Sequence, residues 1–301
     1  MMEQRDFLSI TDLSFDEIAR IFSRAKEHKN AMPVQSLYGK SVVLVFEKAS
    51  TRTRISFEVG IARMGGHPIV LTPEGTQMAR GEPLKDTARI LSGYCDGIVM
   101  RTFGHDRVEE MARFSSVPVI NALTDLFHPC QVLADCFTLC QRFGDLAGKK
   151  IAWIGDGNNM ANSWINAAAA FGFELELACP QGYDPDQEVK KAALERGAKV
   201  RVTRDPIEAA SGAIAVNTDV WASMGQEEEA ALRMAEFSAF QVTSGVMEHA
   251  VPEAVFMHCL PAHREEEVTE DVLEGVQSIV WEQARNRLYV QEAIMGFLLS
   301  E

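Results

Sequence analysis

Apolar and polar positions along this chain alternate between two periods. Residues 41–46 read Ser-Val-Val-Leu-Val-Phe, an almost continuous apolar run that predicts a strand buried on both faces of a parallel sheet. Past Ser50, the residues Ile55, Val59 and Ala62 recur at helical spacing until Gly65-Gly66 ends the run. The same reading predicts strands at Pro68–Leu71, Gly97–Met100 and Val117–Asn121, after a first helix opened by a capping box of Ser14 and Glu17. A helix from Pro129 to Phe143 then runs into the polar stretch Gly144-Asp145-Leu146-Ala147-Gly148-Lys149-Lys150. Beyond it, strands are expected at Ile151–Ile154, Glu174–Ala178, Lys199–Val202, Ala213–Asn217 and Val255–His258, again with helices between. The pattern is α/β: two doubly wound parallel-sheet domains with an active-site cleft between them. The first would comprise residues 1–130 with a C-terminal helix at about 285–301, and the second residues 131–284. The last helical run, Glu282 to Leu299, is long enough to return to the first domain.

Charge narrows the partners. Twenty-nine basic against 43 acidic residues give a formal charge of −14, which repels nucleic acid and acidic membranes. An anionic ligand must therefore find a local cationic pocket. No apolar stretch approaches the roughly 20 residues that cross a bilayer, and Met1 to Arg20 carries acidic residues where a signal peptide would be apolar. A soluble, cytoplasmic protein is expected. The six cysteines, Cys95, Cys130, Cys136, Cys140, Cys179 and Cys259, include no Cys-x-x-Cys pair, which suits reduced thiols better than disulfides or a metal site.

Candidate chemistry gathers where strands end, which is where open parallel sheets bind ligands. Ser50-Thr51-Arg52-Thr53-Arg54 places hydroxyls, guanidiniums and unpaired amides at a strand-to-helix turn, a setting suited to a phosphate-sized anion. An N-cap with two surface arginines would read the same way. After later strands come Arg101-Thr102, His128-Pro129-Cys130-Gln131 and His258-Cys259-Leu260-Pro261. Each residue has a bland alternative as a cap, surface charge or core group, but they recur at the same end of successive strands. Ile154-Gly155-Asp156-Gly157-Asn158-Asn159-Met160 looks like a dinucleotide fingerprint but lacks its third glycine, where Met160 stands. Asn158 and Asn159 offer amides instead, and Asp219 in Asn217-Thr218-Asp219-Val220-Trp221-Ala222-Ser223-Met224-Gly225 offers a carboxylate to an amine. An anion site and an amine site together suggest a two-substrate enzyme.

Together, Phe46 to Arg54, His128-Pro129-Cys130-Gln131, Asp219 to Gly225, His258 to Pro261 and Asn286-Arg287 resemble the aspartate/ornithine carbamoyltransferase family, in order and over essentially the whole chain. The resemblance implies that residues 1–130 with the last helix bind carbamoyl phosphate and residues 131–284 bind L-ornithine. Transfer of the carbamoyl group to the side-chain amine would give L-citrulline and phosphate, a step of arginine biosynthesis. Ser50, Thr51, Arg52 and Thr53 would hold the phosphate, with Arg101 bridging phosphate and carbonyl oxygen. His128 and Gln131 would fix the carbamoyl end, and Arg287 would approach the same carbonyl. Asn159, Asp219, Ser223 and Met224 would bind ornithine, while Cys259 and Leu260 would line the reacting centre. The catalytic set implied is Arg101, His128, Asp219, Cys259 and Arg287. Leu260-Pro261 resembles the family's cis peptide. Gln77 resembles the residue that reaches a neighbouring subunit's site, so a homotrimer is implied, with further assembly of trimers left open. Neither a metal nor an organic cofactor is implied. Putrescine or N-acetylornithine as acceptor would keep the phosphate motifs but alter Ser223-Met224-Gly225, which is intact. Arg285, before the Asn-Arg pair, and Thr243 depart from the family's usual residues.

The chemistry fits these roles. The side-chain amine of ornithine, like that of lysine with a pKa of about 10.4, is protonated at neutral pH and cannot attack. Asp219 would hold that amine in its charged form, so it suits the α-ammonium group better, with Cys259 and desolvation acting on the reacting amine. Domain closure is expected to protect carbamoyl phosphate from water.

Overall fold

The residues 41–46 form β1 (Ser41–Phe46), an interior strand buried along nearly its whole length. In the computed structural model, residues 5–72, 76–222 and 230–300 are described. They fall into two compact units, Met1–Phe137 with Arg285–Glu301, and Thr138–Ala284.

In the first unit β1 lies with β2 (His67–Leu71), β3 (Gly97–Arg101) and β4 (Val119–Leu123) in one parallel sheet of order β2-β1-β3-β4. Helices α1 (Phe15–Asn30), α2 (Arg52–Arg63), α3 (Leu84–Ser92), α4 (His105–Phe114) and α5 (Pro129–Phe143) alternate with the strands. The capping box is present: the Ser14 N–H donates to Glu17 Oε2 at 2.8 Å and the Glu17 N–H to Ser14 Oγ at 3.4 Å. Because β1 and β3 are neighbours while β2 lies outside β1, the connections leave the β1/β3 boundary in opposite directions. That boundary is the switch point of the sheet.

Two strand limits differ from the sequence reading. Strand β4 starts at Val119 rather than Val117, because Pro118 has no N–H for the ladder and offers only its carbonyl, to Ile98 at 2.9 Å. Strand β3 takes in Arg101, which pairs with Phe46, so that arginine ends the strand instead of following it.

The second unit holds β5 (Lys150–Ile154), β6 (Glu174–Ala178), β7 (Lys199–Thr203), β8 (Ala215–Thr218) and β9 (Val255–His258), all parallel, in the order β7-β6-β5-β8-β9. Its helices are α6 (Asn159–Phe171), α7 (Gln187–Glu195), α8 (Pro206–Ala210), α9 (Ala230–Phe237), α10 (Ser244–Met247) and α11 (Glu270–Leu273). Ala213, expected in a strand, instead closes the turn after α8 through its N–H to Ala210 O at 2.9 Å. Here the switch point lies between β5 and β8. Thr243 caps α10 by accepting the Val246 N–H at 3.3 Å, a task open equally to asparagine. The side chain of Arg285 is exposed.

The last helix, α12 (Val280–Leu299), starts two residues before the expected Glu282 and from Arg285 onward belongs to the first unit. Its anchor is buried Glu292, whose carboxylate meets Arg63 Nε at 2.9 Å and His28 Nδ1 at 3.2 Å, tying α12 to α2 and α1. Gly60 permits the approach, since a Cβ there would lie 3.1 Å from Glu292 Cγ. The division between units falls at Phe137/Thr138, about two turns along α5 from the 130/131 boundary read in the sequence.

Candidate functional site

The chemistry of the first unit gathers at the carboxyl ends of β1, β3 and β4. The loop after β1 is braced on both sides. Glu47 accepts from Arg107 Nε at 3.0 Å and from the Thr102 hydroxyl, and its N–H donates to Arg101 O at 2.9 Å. Lys48 pairs with Asp125 at 2.6 Å and lies 4.2 Å from the centre of the Phe103 ring. This fixes the entry into α2, where Thr51 stands at the cap position with no side-chain hydrogen bond to the first turn. A helix of 12 residues thus presents uncapped amides and the positive end of its dipole. Ser50 is half-buried, Thr51 and Arg52 are exposed, and Thr53 is buried. Arg54 does not join them: its Nε pairs with Glu58 one turn on, at 2.8 Å.

Thr53 is held from the other end of the chain. Arg287 Nη2 donates to its Oγ1 at 2.8 Å, and both residues are buried. Arg101 and His128 are buried in the same unit, near enough for both guanidiniums to act on the imidazole. Burial first, then the charges of Arg287 and Arg101, hold His128 well below the usual histidine range, so it is neutral at physiological pH. Gln131, in the first turn of α5, donates through Nε2 to Asp135 at 2.8 Å. Cys130 donates to Asn121 O at 3.4 Å, and burial pushes its thiol up to about 12, which makes it a packed core group. Gln77, exposed, precedes a short 3₁₀ turn at Met78–Arg80.

In the second unit Asp219, just past β8, is the focus. Its Oδ1 accepts from the Val220 N–H at 2.9 Å and the Cys259 thiol at 3.0 Å, while Oδ2 accepts from Asn158 Nδ2 at 3.0 Å. Asn158 also caps α6, its Oδ1 accepting the N–H groups of Met160 and Ala161 at 2.9 and 3.3 Å. Asn158, expected from the sequence to offer an amide here, gives it to Asp219; Asn159 stands beside it as the first residue of α6. Gly157 admits a close approach: a Cβ there would lie 2.2 Å from the Pro185 nitrogen. Ser223 and Met224 lie outside the described residues.

Cys259 and Leu260 are placed by His258. The Leu260 N–H donates to His258 Nδ1 at 2.8 Å, which leaves the ring proton on Nε2, 3.0 Å from Glu267 Oε1. Both side chains are fully buried. Leu260 takes φ +60°, a left-handed conformation unusual for a branched residue, and the Leu260-Pro261 bond is cis. Glu267 escaped the sequence reading because only the fold brings it under His258.

Two family profiles match the chain. Residues 5–141 match the aspartate/ornithine carbamoyltransferase carbamoyl-P binding domain, and residues 147–298 the Asp/Orn binding domain of the same family. An ornithine carbamoyltransferase of Geobacter sulfurreducens is 52% identical over 300 residues, covering 98% of this chain and 99% of that protein. The structure of ornithine carbamoyltransferase from Pyrococcus furiosus superposes with a TM-score of 0.94 at 44% identity, covering 99% of this chain and 98% of that one. An N-acetyl-L-ornithine transcarbamylase variant complexed with PALAO superposes with a TM-score of 0.88 at 32% identity, covering 98% of this chain and 99% of that one. A shared fold therefore does not choose the acceptor.

Proposed function

The chain belongs to the aspartate/ornithine carbamoyltransferase family, and on that premise we propose that it transfers the carbamoyl group of carbamoyl phosphate to the side-chain amine of L-ornithine, giving L-citrulline and phosphate. One observation carries the reading: a single chain has two unlike switch points. The first offers cations and an uncapped helix N-terminus; the second offers a hydrogen-bonded carboxylate and thiol.

In this reading the phosphate rests on the first-turn amides of α2 with Ser50, Thr51, Arg52 and Thr53. The Thr53 hydroxyl accepts from Arg287, so its own proton is left to donate to a phosphate oxygen. Arg101 bridges phosphate and carbonyl oxygen, and His128 and Gln131 fix the carbamoyl end. Attack on the carbonyl carbon turns its oxygen into an oxyanion. Arg101 and Arg287 meet it as permanent cations and His128 as a neutral N–H donor, preorganised so that little rearrangement accompanies the charge. Asp219, with Asn159, Ser223 and Met224, takes the α-ammonium group of ornithine. Cys259, its thiol turned to Asp219, and Leu260 line the path of the reacting amine. The C–N bond forms first; collapse of the tetrahedral adduct then breaks the C–O bond to phosphate, and a phosphate oxygen takes the proton that the attacking amine gives up.

Exchanging a mixed anhydride for a urea is downhill, which favours citrulline formation and a place in arginine biosynthesis. No helix among the described residues is long and apolar enough to cross a membrane, in keeping with a cytoplasmic enzyme. A homotrimer is proposed as well: Gln77 is exposed and could serve a neighbouring site, and Ile55 and Val59 present apolar surface one turn apart on α2. Light scattering tests the assembly.

The activity is tested by citrulline formation from carbamoyl phosphate with L-ornithine, putrescine, N-acetylornithine or aspartate as acceptor. Strong preference for ornithine is expected. Turnover with another amine alone would keep the anion site and overturn the acceptor.

A further inference from the structure

Arg233 belongs to none of the motifs above, yet its guanidinium is buried at the β5/β8 switch point. It rises from α9, and Nη1 donates both to Asp156 Oδ2 and to the Trp221 carbonyl, each at 2.8 Å. The cation lies 4.8 Å from the centre of the Tyr183 ring and 5.8 Å from that of Phe237. Four segments meet on this group: the turn after β5, the loop after β6 that carries Tyr183, the segment leading from Asp219 to Trp221, and α9.

Asp156 is the reason a cation is needed there. Burial raises its carboxyl, Arg233 pulls it down, and the charge of Asp219 adds to the upward push, so the two carboxylates feel one another. Two buried carboxylates at one switch point would compete for a substrate that carries two ammonium groups. With Arg233 on Asp156 that carboxylate is cancelled, and Asp219 keeps its net charge.

We propose that Arg233 is a positioning and specificity-determining residue for the amino-acid substrate. It neutralises Asp156 so that Asp219 receives the ammonium group, and it grips the Trp221 carbonyl so that Asp219 keeps its aim. The inference rests on the acceptor reading given under Proposed function.

The test compares wild type with Arg233→Met, Arg233→Lys and the double variant Arg233→Met/Asp156→Asn, in steady-state kinetics against each substrate with the other saturating. Arg233→Met should raise KM for ornithine about tenfold or more while KM for carbamoyl phosphate stays within about twofold. Arg233→Lys, which keeps the charge, should fall between the two. The double variant removes both charges and should bring KM for ornithine back to within about threefold of wild type. It also serves if the single methionine variant fails to fold, because no unpaired carboxylate is left buried. Equal rises in both KM values, an unchanged KM for ornithine in Arg233→Met, or a double variant with KM still about tenfold raised would each overturn the proposal. A wild type that carbamoylates no ornithine would instead overturn the acceptor reading.

Discussion

Arg287 donates to the Thr53 hydroxyl at 2.8 Å, although 234 positions separate the two residues in the chain. The bond depends on the buried Glu292 clasp, which sets α12 against α1 and α2 and so delivers Arg287 to the head of α2. Charge and hydroxyl are thereby fixed before substrate arrives.

Arg287→Ala should lower kcat by about 100-fold or more, the usual loss when one preorganised donor to an oxyanion is removed. Thr53→Val should instead raise KM for carbamoyl phosphate, because it takes a phosphate donor and leaves a guanidinium N–H without its acceptor. Thr53→Ser keeps the hydroxyl and should stay near wild type. Kinetics at saturating ornithine separate these outcomes, and an Arg287→Ala enzyme with normal kcat would remove Arg287 from the reacting centre.

His128 makes stability depend on pH. Its folded-state pKa lies well below 6.5, so as pH falls through 6.5 the unfolded chain takes up a proton that the folded chain refuses. Stability tied to this residue is therefore present above pH 6.5 and is lost at about 1.4 kcal/mol per pH unit below it, until the folded pKa is reached. His105, lowered chiefly by burial, acts in the same direction. Urea unfolding at pH 7.5 and 5.5 should show a smaller loss of stability for His128→Asn than for wild type. Equal losses would mean that His128 takes up its proton without unfolding.

Gly157 bears on stability through space alone. A Cβ would sit 2.2 Å from the Pro185 nitrogen, 2.3 Å from the Asp184 carbonyl carbon and 2.6 Å from the Tyr183 oxygen, all backbone atoms that cannot swing aside. Gly157→Ala should therefore destabilise by about 1–3 kcal/mol or more, the range typical of overpacking. Part of that loss comes from parting Gly157 N–H from Tyr183 O, now 2.9 Å apart. An unchanged Tm would contradict this.

Strands and motifs were legible in the sequence because parallel strands buried on both faces spell continuous apolar runs, as in Ser41–Phe46. The place of Arg101 at the carboxyl end of the third strand, one residue further into the ladder than expected, and the helix start at Arg52 follow from that reading. Other features have no local signature. Arg54 reads as a second phosphate arginine until Glu58 is seen to take it. The sequence offers the Asn158 amide without its partners: the fold shows that its Oδ1 caps α6 while its NH₂ is left to give to Asp219. Glu267 and Arg233 are ordinary charges in an acidic loop and a helix; the fold alone buries one under His258 and the other on Asp156.

His258 offers the sharpest separation of packing from positioning. Its Nδ1 accepts the Leu260 N–H at 2.8 Å, and its Nε2–H points to Glu267 at 3.0 Å, so one ring fixes the backbone that carries Cys259 and Leu260. Glu267 Oε1 also accepts the His263 N–H at 2.6 Å and closes the loop from 258 to 267. In His258→Asn the amide oxygen can replace Nδ1 as acceptor, whereas His258→Leu fills similar space but leaves the Leu260 N–H without a partner. The leucine variant should lose activity about tenfold more than the asparagine variant, in line with the 1–3 kcal/mol cost of an orphaned buried donor. That loss should fall on kcat and KM for ornithine, with KM for carbamoyl phosphate unchanged. If the two variants lose activity equally, the ring serves to fill volume, and the hydrogen bond to Leu260 has no part in placing Cys259.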